Sequence, residues 1–283
     1  MQCLRGGTKL IAVMLAFISS VALGQTKKEY RFDAGPKASV SVANQYGPVI
    51  VRPSGSNQVL VTAVLYSDKV EVDNDHSGNR IDLKSHLLQG ANSENGRIDY
   101  EVLVPGDASV TLYSTTGPLK VEKLQGDVSL EGGGASVEVH DLSNGHVHVR
   151  TLNGPVTLTN IHDGHVEVVS VGGNITLTEV SGPLVQVSST SGKIFYDGDF
   201  GYGGQYSLIS HSGDIEASIP AYASFDVTAR SMRGKVENDF PFQPKSHTNF
   251  AVVPGSSFAG TSGKAASSVV LKTFSGKIRL KKK

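Results

Sequence analysis

A repeat of about 19 residues runs through the middle of the chain and restricts what it can fold into. Short apolar pairs, each with one residue between its members, recur with this repeat in two interleaved series. The first series is Val137/Val139, Val156/Leu158, Ile175/Leu177 and Ile194/Tyr196, and the second is Val128/Leu130, Val147/Val149, Val166/Val168 and Val185/Val187. Because alternate residues of a strand point to the same side, each pair predicts a short strand with one buried face.

Both series change spacing together, which favours a coil over a simple meander. Each takes one longer step, to Ile215/Ala217 and to Tyr206/Leu208, and we call this step the slip. Two strands per repeat predict a coil that stacks on the next at about 4.8 Å, so that only a stack buries its apolar columns. We therefore expect an all-β fold, a parallel β-solenoid of about 19 residues per coil. Parallel crossovers make right-handed winding the expectation. An antiparallel meander of short strands is the alternative, but it does not explain the shared slip.

Glycine precedes most of the apolar pairs. These glycines are Gly117, Gly126, Gly145, Gly154, Gly164, Gly173, Gly182, Gly192, Gly204 and Gly213. Turns between short strands often require a positive φ, which glycine adopts at little cost. The pattern predicts a tight turn before each strand.

The strand pattern extends beyond the central repeat and suggests three parts of the chain. Residues 1–24 are expected to be a signal peptide, residues 25–104 an N-terminal β region that forms a sandwich-like cap, and residues 105–283 the solenoid. Residues 38–51 resemble residues 108–121 at a constant offset of 70. The stretch from about 240 to 268 is rich in Pro, Gly and Ser and predicts a long loop.

The N-terminal residues resemble a secretory signal. Arg5 and Lys9 precede an apolar run, and Ala22-Leu23-Gly24 offers small residues for cleavage before Gln25. The apolar run is short for a bilayer span, although a retained membrane anchor is the alternative. We expect export to the periplasm, the cell envelope or the medium, with no membrane span after signal removal.

Cysteine content and charge exclude several functions. The only cysteine, Cys3, lies in the predicted signal, so the mature chain has no disulfide, no thiolate nucleophile and no cysteine zinc site. Removal of Arg5 and Lys9 with the signal leaves 24 basic and 26 acidic residues, a net charge of −2. This balance argues against nucleic acid as a partner.

Several motifs resemble a known bacterial family. They are the repeated Ser/Thr-x-x-Gly-x-Val-x-Val units, the Val-Pro-x-x-Ala-Ser-Val sequence at 104–110 and the Phe-Ser-Gly-Lys-Ile-Arg-Leu sequence at 274–280. Together they resemble the bacterial "putative adhesin" family of exported domains of unknown function. The resemblance implies a β-solenoid at or outside the cell envelope. It brings no catalytic residues.

Histidines with the repeat spacing form one candidate site. His146 and His165 are one repeat apart, as are His148 and Glu167, and Asp127 precedes His146 by the same spacing. Stacked coils would bring these side chains together on an outer face, where imidazoles and carboxylates are ligands for Zn²⁺ or Cu²⁺. A polar outer column without a metal explains the same spacing, because the repeat itself imposes it.

Aromatic residues at the slip form a second candidate. Phe195, Phe200 and Tyr202 are candidate ligand-binding residues, because an aromatic bulge beside flexible glycines can dock a sugar ring or a partner. Tyr196 and Tyr206 belong to the apolar series and are expected in the core. The alternative is that the whole group shields an end of the core.

Catalytic signatures are absent from the sequence. It has no Gly-x-Ser-x-Gly elbow and no His-Glu-x-x-His motif, and no catalytic residue or cofactor is predicted. An adhesin-like scaffold that binds a glycan, a cell surface or an envelope protein is therefore the favoured function. A metal-binding envelope protein is the first alternative, and a solenoid-type polysaccharide hydrolase or lyase is the second.

Overall fold

The computed structural model describes residues 25–201, 203–244 and 252–283, so the predicted signal peptide lies outside the described residues. These residues contain 25 strands and no helix, which confirms the all-β prediction. No helix that is long and apolar enough to span a membrane occurs in this part of the chain.

The strands follow one another with short connections. Their bounds are β1 Thr26–Asp33, β2 Ser39–Asn44, β3 Val49–Pro53, β4 Gln58–Leu65, β5 Val70–Ser77, β6 Arg80–Leu87, β7 Ile98–Val104, β8 Ser109–Ser114, β9 Leu119–Glu122, β10 Val128–Gly132, β11 Val137–Ser143, β12 Val147–Thr151, β13 Val156–His162, β14 His165–Ser170, β15 Ile175–Val180, β16 Leu184–Ser189, β17 Ile194–Asp197, β18 Gln205–Ser210, β19 Ile215–Ile219, β20 Phe225–Ser231, β21 Val236–Asn238, β22 Gln243–Pro244, β23 Ser257–Ser262, β24 Ser267–Thr273 and β25 Ile278–Lys282.

Two long sheets, built mainly from parallel strands as in a β-solenoid, contain all of these strands. Sheet A has 12 strands in the order β1-β4-β7-β3-β9-β11-β13-β15-β17-β19-β25-β21. Sheet B has 13 strands in the order β22-β23-β20-β24-β18-β16-β14-β12-β10-β8-β2-β6-β5. Through the centre the chain alternates between the sheets, so that successive strands in sequence belong to opposite sheets.

The pairing register follows the sequence spacing. In sheet B, Val128 lies opposite Val147 and Val147 opposite Val166. At the slip in sheet B, Val185 lies opposite Tyr206. At the slip in sheet A, the isoleucine that begins β17 lies opposite the isoleucine that begins β19. All of these side chains are buried, and together they form the apolar core between the sheets. The core therefore consists mainly of columns of Val, Ile and Leu side chains, and each strand contributes one residue to each column.

The repeated glycines have a different cause from the predicted one. None of the ten has a positive φ. Instead, a Cβ added at Gly154 would collide with the carbonyl oxygen of Ala135, and one at Gly173 would collide with that of Gly154. The expectation of a left-handed backbone at these positions is therefore wrong. Glycine is required because the corners of neighbouring coils approach too closely for a side chain.

Left-handed backbone does occur in the coils, at positions held by other residues. Lys123, Asp141, Asn160 and Glu179 have φ values of 57°, 57°, 57° and 54°. They follow one another by about one coil each, and Lys123 directly follows β9, whereas the other three lie near the C-terminal ends of β11, β13 and β15. Asn and Asp tolerate this conformation better than most residues, because their short side chains hydrogen-bond locally.

A hydroxyl holds the corner at which the chain leaves sheet B. The backbone N–H of Gly117 donates to Ser114 Oγ at 2.8 Å, and that of Gly213 donates to Ser210 Oγ at 2.9 Å. Ser114 and Ser210 are buried at the ends of their strands. This turn explains the Ser/Thr-x-x-Gly pattern, since the hydroxyl satisfies a buried amide and the glycine permits the close stacking.

Residues from the predicted N-terminal region continue both sheets. Val40 of β2 lies opposite Val110 of β8, and Val49 of β3 lies opposite Leu119 of β9. The offset of 70 in the sequence thus corresponds to direct pairing. Antiparallel strands follow at this end, with β4 between β1 and β7, and β5 against β6.

At the other end, strands from the C-terminus insert into the stack. Strand β24 lies between β18 and β20, and β25 lies between β19 and β21. The stretch 240–268, predicted as a long loop, contains β22 and β23 and the start of β24 among its described residues. Strand β23 pairs antiparallel with β20 and covers what would otherwise be an open sheet edge.

Candidate functional site

The predicted metal ligands lie on the outer face of sheet B. His146 Nδ1 lies 3.0 Å from Asp127 Oδ1, and the rings of His146 and His165 meet edge to face with 4.8 Å between their centroids. The backbone N–H of His146 also donates to Asp127 Oδ1 at 2.9 Å. This backbone hydrogen bond, followed by the imidazole contact, lowers the pKa of Asp127. The repeat spacing therefore does bring His146 and His165 together.

His148 and Glu167 form a separate pair on the same face. His148 Nδ1 lies 3.1 Å from Glu167 Oε2. Within the residues that the structure describes, no group of three or more His, Cys, Asp or Glu side chains is arranged to hold a metal ion. The four predicted ligands are therefore arranged as two neighbouring pairs and do not form one coordination site.

Of the predicted aromatic residues, Phe200 lies in the core. Only 2% of its surface is exposed, and its ring lies 4.8 Å from that of Tyr196, 4.9 Å from that of Tyr206 and 5.2 Å from that of Phe225. A ring this deeply buried cannot stack on a ligand from solvent, so its assignment as a ligand-binding residue is wrong. The longer coil at the slip accommodates the large Phe and Tyr rings inside the stack.

Tyr196 and Tyr206 occupy the core positions expected from the apolar series. The hydroxyl of Tyr196 donates to the carbonyl oxygen of Asp199 at 2.7 Å, and burial raises the pKa of this hydroxyl. Tyr202, the third candidate for ligand binding, lies outside the described residues.

Phe195 faces outward from sheet A and is half-buried. It lies opposite Thr176, which lies opposite Thr157, so these three side chains form one column across β17, β15 and β13. A second column, two residues further along each strand, contains Thr159 and Thr178. We call the five residues the Thr/Phe face. They present four hydroxyl groups and one aromatic ring on consecutive strands.

Ion pairs border the Thr/Phe face at both ends. Beyond Phe195 the first column continues with Glu216, whose carboxylate lies 2.6 Å from the ammonium group of Lys281. The second column continues with Asp197, which pairs with the ammonium group of Lys283. At the opposite end Glu138 lies opposite Thr157, with Lys120 and His140 beside it at 4.0 and 3.6 Å.

The threonines of this face are not among the candidate residues that the sequence motifs indicated. The Thr-x-Thr pairs at 157–159 and 176–178, one repeat apart, are the signal that identifies them.

A hydrogen-bonded chain of four side chains crosses the coils at the C-terminal ends of the sheet A strands. Asn160 Nδ2 donates to Asp141 Oδ1 at 2.6 Å, and Asn160 Oδ1 lies 2.6 Å from His162 Nε2. Since an amide oxygen can only accept, the Nε2–H of His162 donates to Asn160, and His162 Nδ1 lies 2.8 Å from Ser181 Oγ. These residues were not predicted from the sequence, although Asp141/Asn160 and His162/Ser181 each have the repeat spacing.

The amides beside Ser181 are already occupied. A serine hydroxyl bonded to a neutral imidazole is the nucleophile–base pair of many acyl-transfer enzymes, which also need free N–H donors for an oxyanion. Here the N–H of Ser181 donates to the carbonyl of Ile161 at 2.8 Å, and that of Gly182 points to the Tyr206 hydroxyl at 3.3 Å. The chain of hydrogen bonds joins neighbouring coils.

Two surface depressions lie away from the candidate residues. One, of about 190 Å³, lies against β1, β4 and β7 and is lined by Glu29, Arg31 and Glu101 among others. The other, of about 450 Å³, is polar and open and is lined by residues 54–57 and 105–107 with Lys123 and Gln125. Neither includes the histidines, the Thr/Phe face or Ser181.

A known family matches the part of the chain that contains the stacked coils and the Ser/Thr-x-x-Gly corners. The sequence model described as "Toastrack DUF4097" matches residues 38–281, which is most of the chain. The chain belongs to the Toastrack DUF4097 family. This match confirms the resemblance to bacterial domains of unknown function that the motifs indicated. No curated protein matches this Toastrack chain in sequence.

Two solved structures are similar to this Toastrack chain at low sequence identity. One is a "putative cell adhesion protein" from Clostridium sporogenes ATCC 15579, with 13% identity and a TM-score of 0.33, covering 91% of this chain and 100% of that one. The other is a "putative adhesin" (BF0245) from Bacteroides fragilis NCTC 9343, with 11% identity and a TM-score of 0.49, covering 90% and 96%.

Proposed function

We propose that this Toastrack chain is an exported, adhesin-like scaffold that binds a glycan of a cell surface or envelope at its Thr/Phe face, without catalysis. The observation that carries the proposal is the position of Phe195. Its ring lies half-exposed on sheet A, in line with the hydroxyl groups of Thr176 and Thr157. By contrast, the other large aromatic rings of the slip region, among the described residues, point into the core.

The chemistry of this face suits a sugar. A sugar ring has an apolar side that packs on an aromatic ring, and hydroxyl groups that exchange hydrogen bonds with neighbouring hydroxyls. The threonines are held by strand pairing on both sides, and a β-branched side chain has restricted χ1 freedom. Little conformational entropy is therefore lost when a ligand binds, which favours affinity.

The non-catalytic part of the proposal has its own support. The amides next to Ser181 are occupied, and the carboxylates of Asp197 and Glu216 beside the Thr/Phe face are paired with lysines. A glycosidase needs two carboxylates across the scissile bond, one of which remains protonated as an acid. An ion-paired carboxylate is poorly suited to that role.

The proposed scaffold is a right-handed solenoid with one repeat of about 19 residues per coil, in which residues 25–104 cap the N-terminal end and residues 105–283 form the coils. The equal spacing of Val128, Val147 and Val166 in the paired strands supports the coil length. Residues 1–24 are proposed as the signal peptide that directs this scaffold to the periplasm, the envelope or the medium.

The test is a glycan array probed with the protein produced from the full-length sequence in a secreting host. We expect selective binding of at least one envelope or cell-surface glycan, and loss of that binding in Phe195→Ala. Gln186→Ala is the matched control, since Gln186 is exposed on the outer face of sheet B. Circular dichroism melting verifies that both variants are folded. An array without binding, or a Phe195→Ala variant that binds like the wild type, contradicts the proposal.

A further inference from the structure

Exposed apolar side chains concentrate along one corner of the stack. Nine large apolar residues are exposed among the described residues, and six of them lie where the sheet B strands turn toward sheet A. These six are Tyr113, Leu152, Val169, Val171, Ile209 and Met232, with 37–58% of each surface exposed. Scattered exposed apolar residues need no explanation, whereas their concentration at one corner, with polar and charged residues between them, indicates an interaction surface.

The row occupies two columns on eight consecutive strands, β8, β10, β12, β14, β16, β18, β24 and β20. The first column is Tyr113, Glu131, Arg150, Val169, Ser188, Ile209, Lys272 and Arg230, which are paired in register from strand to strand. The second column, two residues further on, is Thr115, Gly133, Leu152, Val171, Thr190, His211, Phe274 and Met232. We call these two columns the corner strip. Eight strands at the usual spacing make it roughly 34 Å long.

The two halves of the corner strip complement each other. Glu131 lies on the second strand from one end and Lys272 on the second strand from the other end. Both side chains are exposed, and neither has an ion-pair partner among the described residues. On the same two strands the second column has Gly133 at one end and Phe274 at the other. The negative charge near one end of the corner strip thus corresponds to a positive charge near the other end.

Phe274 is held in place for a contact of this kind. The ring of His211 stacks on it at 5.0 Å with an interplanar angle of 4°, and the guanidinium of Arg233, which follows the neighbouring strand, lies 4.8 Å from its centroid. Phe274 is itself half-buried. A ring fixed in this way loses little freedom on contacting a partner surface.

We infer that the corner strip binds a second copy of this chain in antiparallel orientation. A two-fold axis that lies between β14 and β16, along the strand direction, places the second strand of one strip against the seventh of the other. Glu131 then meets Lys272 of the other copy and Gly133 meets its Phe274, twice per dimer. Such an isologous contact closes on itself, since each pairing occurs in both directions.

The dimer is compatible with glycan binding and is inferred independently of it. The corner strip lies on sheet B, and the Thr/Phe face lies on sheet A. A dimer would therefore carry two Thr/Phe faces and bind a repetitive surface more tightly than one copy does. A monomer that binds glycans would overturn only the dimer, whereas a dimer that binds none would overturn only the proposed function.

The experiment is size-exclusion chromatography with multi-angle light scattering and sedimentation equilibrium, on protein produced from the full-length sequence. The wild type is expected to be a dimer. Glu131→Lys and Lys272→Glu should each weaken the dimer by at least about tenfold, because both place like charges together. The double variant Glu131→Lys/Lys272→Glu restores the opposite charges and should dimerise like the wild type.

Two further variants separate the interface from the fold. Leu152→Asp, at a side chain that is 58% exposed, is expected to give a folded monomer with the circular dichroism spectrum of the wild type. Glu94→Lys, an exposed acid outside the strip, is expected to remain dimeric. A wild type that is monomeric at its highest soluble concentration overturns the inference. A double charge-swap variant that fails to recover the dimer does so as well.

Discussion

Gly154 lies where the corner of one coil meets the carbonyl oxygen of Ala135 in the next. The same contact recurs at Gly173, against the carbonyl of Gly154, and at Gly192, against the carbonyl of Gly173. Backbone has to approach backbone at these corners, because strands on both sides are paired at the fixed spacing of a sheet. Glycine is required at these corners because the space between coils is too small for a side chain, and not because the backbone needs a positive φ.

Replacement of Gly154 by Ala tests this explanation. The added methyl group must displace the neighbouring backbone, and we expect the free energy of unfolding to fall by about 3 kcal/mol. Chemical denaturation with urea provides the measurement. Gly134→Ala is the control, because a Cβ at Gly134 meets no atom within 4 Å and that residue is exposed. Equal destabilisation by both substitutions would contradict the argument.

Strands β12, β13 and β14 show how one element divides its residues between core and surface. Val147 and Val166 point into the stack with 1% exposure each, and they lie opposite each other. Thr157 of β13 points out of sheet A and is partly exposed. Since side chains alternate along a strand, a shift by one residue would exchange these environments completely.

Aspartate substitutions measure this register. Val147→Asp or Val166→Asp buries a charge with no partner between coils, and we expect a loss of stability of about 4 kcal/mol or more. Thr157→Asp should change stability by less than about 0.5 kcal/mol, as expected for a surface position. Thermal and urea unfolding of the three variants provide the comparison. Similar stabilities for the core and surface variants would contradict the register.

The described strands form one stack, and strands from the C-terminal part of the chain are inserted near one of its ends. Strand β1 begins at Thr26 at one edge of sheet A, and β24 and β25 are inserted near the opposite end. Aromatic rings cover the core at that end, where Phe225 meets Phe240 and Phe242 at 5.3 Å and 5.9 Å.

Export is the prediction at this scale. Expression of the full-length sequence in a secreting bacterium should yield a protein outside the cytoplasm whose first residue is at or near Gln25. The reason is the combination of Arg5 and Lys9, a short apolar run and small residues before Gln25. N-terminal sequencing of the periplasmic and medium fractions provides the measurement. A soluble cytoplasmic protein that retains Met1 would contradict the prediction.

Periodicity made most of the central register predictable. Val128, Val147 and Val166 pair as their spacing indicated, and the slip to Tyr206 is reproduced in the pairing of β16 with β18. The histidine pair His146 and His165 was predictable for the same reason. Phe200 was not, because it lies between the two apolar series and no spacing rule assigns it a side.

The amino-acid sequence by itself determined the strand positions, the direction in which their side chains point and the alignment of neighbouring coils. These features depend on residues within one or two repeats, and burial of an apolar column allows only one register. Only the tertiary structure decided that β24 lies between β18 and β20, because Tyr206 pairs with Val269, which is distant in sequence and outside the periodic series. It also decided that Glu131 and Lys272 lie at opposite ends of one corner, since their placement depends on that insertion.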